Sequence, residues 1–409
     1  MVRKKTGLLR LLAISAALLI ITAACGSSDD KKDDSATGGT KSGTGVQCDG
    51  DLAIGFFGAL TGDNANLGVN ISQGAELAIK QWNAENPDCE IGYEKLDSQG
   101  SPDQAPALAQ KAVQDKKIVA LVGPAFSGES KVANPIFDEA GLPIVTPSAT
   151  NPALADNKWK IFHRAVGNDN SQGPAAANYM ASELNVKKAA VIDDASEYGK
   201  GIADLVRTDL KSAKVDVAVS EAIDPKAQDY SSTVTKIKGA NVDAIFYGGY
   251  YAEAGRLVKQ LRDASVKATL VTPDGVLDPG FIEAAGATSA EGTIITCPCA
   301  PLDNIAGGQE FKDAYKKAFN EDAGTYSAEA FDSANAILEA IRAGNTTRAT
   351  INTYLTDTLD FQGITKKLNF DEKGEIAEVT VYAYKVQGGE IVPVGPAKGG
   401  SHHDTTVLR

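Results

Sequence analysis

Histidine is scarce, with three residues in 409. That argues against zinc sites, which draw on His and Cys together. It also leaves only His163 in the body of the chain as a base for a nucleophilic serine. A basic face is missing too: 53 acids against 40 bases give a net charge of −13. Nucleic-acid binders carry the opposite balance. Long apolar runs are absent beyond the first 25 residues, and "LLAISAALLIITAAC" is short for a membrane span, which needs about 20 residues. No solenoid-length repeat is present, and one tether is the only low-complexity segment.

What is present begins with "MVRKKTGLLR", which is basic, followed by that apolar stretch and small residues up to Cys25. A basic start, a short apolar core and small residues before a cut describe an export signal. The stretch "TAAC" resembles a bacterial lipobox, with Thr22 where Leu is usual. The resemblance implies removal of residues 1–24 and lipidation of Cys25 as the new N-terminus. Residues 25–47 include "GSSDDKKDDSATGGTKSGTG", which has almost nothing to bury and reads as a flexible tether. The expected address is the extracytoplasmic face of a cell membrane, with the chain lipid-anchored. The leader holds four Lys/Arg and no acid, so the mature chain is more acidic still. About 360 residues remain, more than one core usually holds, and two domains are expected.

Cys48, Cys89, Cys297 and Cys299 remain, an even number in an oxidising compartment, which favours disulfides. Cys48 precedes "LAIGFFG" and Cys89 precedes "IGYEKLD". If those two strands are parallel neighbours, the cysteines meet at one sheet end, so they are paired here. Cys297 and Cys299 flank a single proline and are read as a local bridge, metal being disfavoured for want of further ligands.

Strand-like apolar runs occur at "LAIGFF", "IGYEKL", "IVALV", "PIVT", "AAVID", "VDAIFY", "ATLVT" and "GTIIT", with helix-like stretches between them. In "GAELAIKQW", Ala75, Ala78, Ile79 and Trp82 share one helical face. Strands alternating with helices predict βαβ units and parallel sheets, an α/β fold. Ligands of such sheets bind beyond the carboxyl ends of the strands. There the chain carries "GALTGDNANLG", "GPAFSGES", "PSAT", "DASEYG", "GGYYAEAG" and "PDG". Hydroxyls, carboxylates, tyrosines and glycines gather at these ends. "GPAFSGES" opens a helix and so suits an anion. A phosphate, a carboxylate and an activated serine each fit at this point.

Together "GALTGDNANLG…GAELAI", "VGPAFSGES", "GLPIVTPSAT", "FHRAVGNDNSQGPAAANY", "YGKG", "FYGGYYAEAG" and "TPDGV" resemble the Leu/Ile/Val-binding proteins of bacterial ABC importers. The likeness runs in order from about Asp51 to Val394. It implies the type I periplasmic binding fold: two Rossmann-like lobes with parallel sheets, joined by three hinge crossovers and closing over ligand. Lobe 1 is expected at 49–168 plus 299–377 and lobe 2 at 169–298 plus 378–396, leaving 397–409 as a tail. The resemblance assigns Ser127 and Thr150 to the ligand carboxylate, with Ser148, through its backbone, and Ala149 beside them. It assigns Asp274 to the ammonium and Asp169 to a supporting part near the hinge. Tyr198 and Tyr250 line the cleft from lobe 2 and Tyr326 from lobe 1. Leu67 stands where some relatives have an aromatic, widening the side-chain end.

"GPAFSGES" lacks the lysine of a phosphate loop, and His163 reads as packing near the hinge rather than serving Ser127. A carboxylate is the remaining anion. The expected function is capture of a free amino acid, with Leu, Ile or Val the expected ligand, by a monomer that delivers it to an ABC permease without a cofactor. The same fold could instead bind an amide, urea or an aromatic acid, or sense a ligand for a membrane signalling partner. An enzyme is disfavoured, because no base, metal cluster or nucleophile constellation is evident.

Overall fold

The computed structural model describes residues 50–398 together with Val46 and Cys48. The leader, Cys25, most of the tether and residues 399–409 lie outside the described residues.

Two large sheets form among the described residues. The first contains β1 (Leu52–Gly58), β2 (Ile91–Asp97), β3 (Ile118–Val122), β4 (Ile144–Thr146) and β5 (Phe162–Arg164), in the order β2-β1-β3-β4-β5. All its pairings are parallel. β1 and β3 are buried along their whole length, because helices cover both faces, and they read as unbroken apolar runs for that reason. The second sheet starts with β6 (Lys188–Asp193), β7 (Asp216–Ala222), β8 (Ala244–Gly248), β9 (Thr269–Thr272) and β10 (Ile294–Cys297). A two-stranded ribbon follows, β11 (Phe361–Gln362) and β12 (Lys367–Leu368). Then β13 (Tyr382–Gln387) and β14 (Glu390–Pro396) close the second sheet, whose order is β14-β13-β10-β9-β8-β6-β7. Only β13 runs against the others, pairing antiparallel with both β10 and β14.

The chain therefore passes between the two sheets three times: after Arg164, after Cys297 and before Tyr382. Between the second and third passages it builds helices, not strands of the second sheet. One of these, Ser327–Arg342, packs on helix Ala65–Glu85, whose Ala75, Ala78, Ile79 and Trp82 are buried. The two helices meet at Gly74, where a Cβ would lie 1.9 Å from the Ser327 carbonyl oxygen. Only glycine allows that approach.

β1 and β2 pair from Leu52 opposite Ile91. Cys48 and Cys89, just ahead of them, are joined, with Cα atoms 4.9 Å apart. Cys297 and Cys299 are joined at the end of β10. Strands β5 and β7 are absent from the list of apolar runs above. β5 is three residues long, and edge strand β7 buries only Val219 fully, so neither carries a strong apolar pattern.

Candidate functional site

The loop after β3 turns at Gly123, whose φ of +120° and position, with a virtual Cβ 2.5 Å from the Phe57 carbonyl oxygen, admit only glycine. Helix Ser127–Glu139 starts directly after it. The Phe126 N–H donates to Glu129 Oε1 at 3.0 Å, fixing the first turn. Burial pushes the Glu129 carboxyl up to about 8, against the opposing pull of hydrogen bonds from Ser98 and the backbone. Ser127 Oγ accepts from the Asn151 N–H at 3.2 Å, stitching this loop to the one after β4. The Ser148 hydroxyl donates to the Ala125 carbonyl at 2.7 Å and reinforces the same seam.

Asp274 opens the turn after β9 and is 2 % exposed. Tyr198, on helix Glu197–Ser212, donates its hydroxyl to Oδ1, and Tyr326 donates to Oδ2, both at 2.6 Å. Tyr326 sits at φ +67°, in left-handed backbone that a bulky side chain rarely adopts. Such strain costs of order 1–3 kcal/mol and persists where the surroundings over-determine it; here it aims a hydroxyl at Asp274. Burial raises the Asp274 carboxyl above its usual range, while the hydrogen bonds of Tyr198, Tyr326 and Gln172 pull it down.

Asp169, the first residue of helix Asp169–Asn178, is fully buried. Neither of its oxygens makes a well-formed hydrogen bond, nor does the neighbouring Thr150 hydroxyl. Burial, and after it the charge of Asp274, holds Asp169 well above the usual carboxylate range, with Thr150 and Arg164 only partly offsetting them. Two buried carboxylates, one of them raised by the charge of the other, are an arrangement that a cation relieves.

Leu67, Ser127, Ser148, Tyr198, Tyr250, Asp274 and Tyr326 all line one cavity of about 20 Å³, together with Ile71, Ala125, Phe126 and Gly275. Asp274 is its one charged member. Ala149, Thr150 and Asp169 lie behind the wall, each at most 1 % exposed. Ile71, one helical turn from Leu67, and Phe126 went unnoticed in the sequence, although both stand in the quoted motifs or on the same helix face. The two halves touch around the cavity. The Phe126 and Tyr250 rings meet edge to face at 5.5 Å, Lys131 pairs with Glu197 at 2.8 Å, and Asn66 donates to Asp278 at 3.0 Å.

Arg164 was also passed over, though it stands beside His163 in "FHRAV". It is fully buried, and its guanidinium donates to the carbonyls of Ala149 and Asn151 at 2.7 and 2.9 Å and pairs with Glu375. His163 is occupied elsewhere: its ring nitrogens lie 3.1 Å from the Ile144 carbonyl and from the Thr356 hydroxyl. Burial pushes its pKa down to about 4.

The family model described as "Periplasmic binding protein" matches residues 51–390. The Leu/Ile/Val/Thr-binding protein of Salmonella typhimurium is 32 % identical over 332 residues, covering 80 % of this chain and 88 % of the relative. The leucine-, isoleucine-, valine-, threonine- and alanine-binding protein of Pseudomonas aeruginosa is 31 % identical over 338 residues, covering 81 % and 90 %. Among solved structures, a branched-chain amino acid transporter substrate binding protein from Streptococcus pneumoniae, in complex with isoleucine, superposes with a TM-score of 0.78. It is 30 % identical and covers 85 % of this chain and all of its own.

Proposed function

This chain belongs to the periplasmic binding protein family, and from that premise we propose that it captures a free branched-chain amino acid by hinge closure. It is a substrate-binding protein of an ABC transporter, as its relatives are solute-binding proteins rather than enzymes. In this reading the lobes are 49–168 plus 299–377 and 169–298 plus 378–396. The three passages of the chain between the sheets are the hinge, and closure presents the ligand to a membrane permease. Lipidated Cys25 and the tether keep the receptor at the membrane. Since Cys25 lies outside the described residues, this anchoring rests on the sequence of the leader alone.

One observation carries the choice of ligand. Asp274 is held between a tyrosine from each half, beside a second raised carboxylate, and the helix start at Ser127 borders the same cavity. An ammonium relieves the two acids. A carboxylate takes the helix N-terminus with Ser127, and Thr150 serves it from behind. The remaining wall is Leu67, Ile71, Ala125, Phe126 and Tyr250, with no charged side chain. A ligand side chain bearing a charge would be buried there unpaired, at a cost of several kcal/mol. An aliphatic side chain meets no such penalty. Aromatic carboxylic acids and simple amides without an amino group leave both acids uncompensated.

Hinge opening must precede entry, because a cavity of about 20 Å³ has room for one water molecule and no more. Opening breaks the exposed pair Lys131–Glu197, which is worth little by itself. It also parts Asn66 from Asp278, Asn151 from the Glu197 carbonyl and Tyr326 from Asp274.

Calorimetric titration with the amino acids tests the reading. Leu, Ile and Val are expected to bind tightest, and a hundredfold excess over Kd stabilises the fold by about 2.7 kcal/mol. A charged amino acid that binds tightest overturns the assignment.

A further inference from the structure

Arg164 touches none of the residues that wall the cavity, yet its guanidinium reaches most of what holds the loop after β4 in place. We propose that Arg164, clamped by Glu375, is a positioning residue that sets the ligand-carboxylate loop, an inference that rests on the amino-acid reading above.

The geometry is specific. Arg164 Nη1 donates to the carbonyls of Ala149 and Asn151, at 2.7 and 2.9 Å. These two carbonyls flank Thr150. Nε donates to Glu375 Oε2 at 3.1 Å, and Nη2 pairs with Oε1, so the fork meets the carboxylate side-on. The Arg164 side chain is fully buried and that of Glu375 is 14 % exposed. A planar guanidinium can hold two carbonyls and a carboxylate at once; an ammonium of similar reach cannot.

The loop's orientation follows from those contacts. A trans peptide is planar, with its C=O and the next N–H on opposite sides. Turning the Ala149 carbonyl to Arg164 therefore turns the Thr150 N–H away from the guanidinium. The two peptide units that meet at Asn151 are both set, one by its N–H donating to Ser127 Oγ and the next by its C=O accepting from Arg164. Asn151 also donates its side-chain N–H to the Glu197 carbonyl at 2.7 Å, the residue before Tyr198. One guanidinium thus fixes the register between the Ser127 helix start and the Thr150 loop.

Glu375 is delivered by a turn that docks on the edge of the first sheet. The Arg164 N–H donates to the Gly374 carbonyl at 2.8 Å. Gly374, at φ +75°, lies so close that a Cβ would be 1.9 Å from the Phe162 carbonyl oxygen. Asp371 accepts from the N–H groups of Lys373 and Glu375 and holds the turn. This turn lies just ahead of the third passage between the sheets. The clamp thereby ties the ligand loop to the hinge.

The test uses the full chain with Arg164→Lys and Glu375→Gln, titrated with leucine and with leucinamide, which keeps the ammonium and lacks the carboxylate. If the clamp positions the carboxylate loop, leucine affinity falls about 10- to 100-fold in Arg164→Lys, the scale of a misplacement near 1 Å. Glu375→Gln falls less in the same direction, and leucinamide changes far less in both. Hydrogen exchange at residues 148–151 should quicken while the rest of the first sheet keeps its protection. Equal losses for the two ligands, or no loss with unchanged exchange, overturn the proposal. Should Arg164→Lys fail to fold, Glu375→Gln decides by the same two measurements. If wild type binds no leucine, the amino-acid reading fails, and the exchange at 148–151 still judges the clamp.

Discussion

Replacing Asp274 separates what its carboxylate does for ligand from what it does for the fold. In the closed cleft an ammonium exchanges water for this carboxylate, and removing one partner of a buried pair costs about 3–5 kcal/mol. That corresponds to roughly two to four decades in Kd. Asp274→Ala also leaves the Tyr198 and Tyr326 hydroxyls without their acceptor. Each such loss costs about 1–3 kcal/mol. The Tyr198 loss stays within one half and lowers stability whether the cleft is open or closed, whereas the Tyr326 loss bears on the closed form. Asp274→Asn keeps an acceptor and removes the charge that raises Asp169. Because burial holds the Asp274 carboxyl above its usual range, its ionised form burdens the free protein near neutral pH. Free Asp274→Asn should therefore melt at or above the wild-type temperature, and Asp274→Ala below it. Both should lose leucine affinity, Ala more than Asn. Calorimetry for Kd and thermal melts with and without leucine read the two effects apart. Wild-type leucine affinity in Asp274→Asn refutes the ammonium assignment and passes the role to Asp169.

Two further predictions concern pH and the anchor. Glu129 and Glu253, buried near the cleft, hold their protons up to about 8 and about 7, whereas an unfolded glutamate ionises near 4.3. The folded chain binds more protons between those limits, so this contribution to stability falls as pH rises from about 4.3 to about 8 and levels off above. His163, depressed to about 4, acts in the opposite sense only below about pH 6.5. Melting temperatures should therefore decline in wild type from about pH 6.5 to about 8 and decline less in Glu129→Gln, which keeps the bond to the Phe126 N–H; equal slopes count against it. At the other end of the chain, Cys25→Ala should release the protein from membranes or leave its leader uncut. Membrane retention of a correctly cut mutant sinks the lipid anchor.

Much of this protein was settled by local sequence. Unbroken apolar strands alternating with amphipathic helices force parallel sheets, and parallel sheets force the connecting loops to one end. The chemistry of "GPAFSGES", "PSAT", "GGYYAEAG" and "PDG" therefore had to gather there, and Ser127, Tyr250 and Asp274 could be named from the family resemblance those motifs carry. Other features depended on where the chain returns after leaving a sheet. Arg164 and Glu375 lie 211 positions apart, and nothing near either residue signals the other, because their meeting depends on the turn that docks Gly374 against β5. The same holds for Asn151 and the Glu197 carbonyl, which meet across the two halves. Tyr326 reads as an ordinary loop tyrosine, and its left-handed backbone and its bond to Asp274 appear only in the folded chain. Periodicity is a property of neighbours along the chain and survives in the sequence. Burial of a charge and its partner is a property of neighbours in space, fixed only when the second passage brings the chain back to the first sheet.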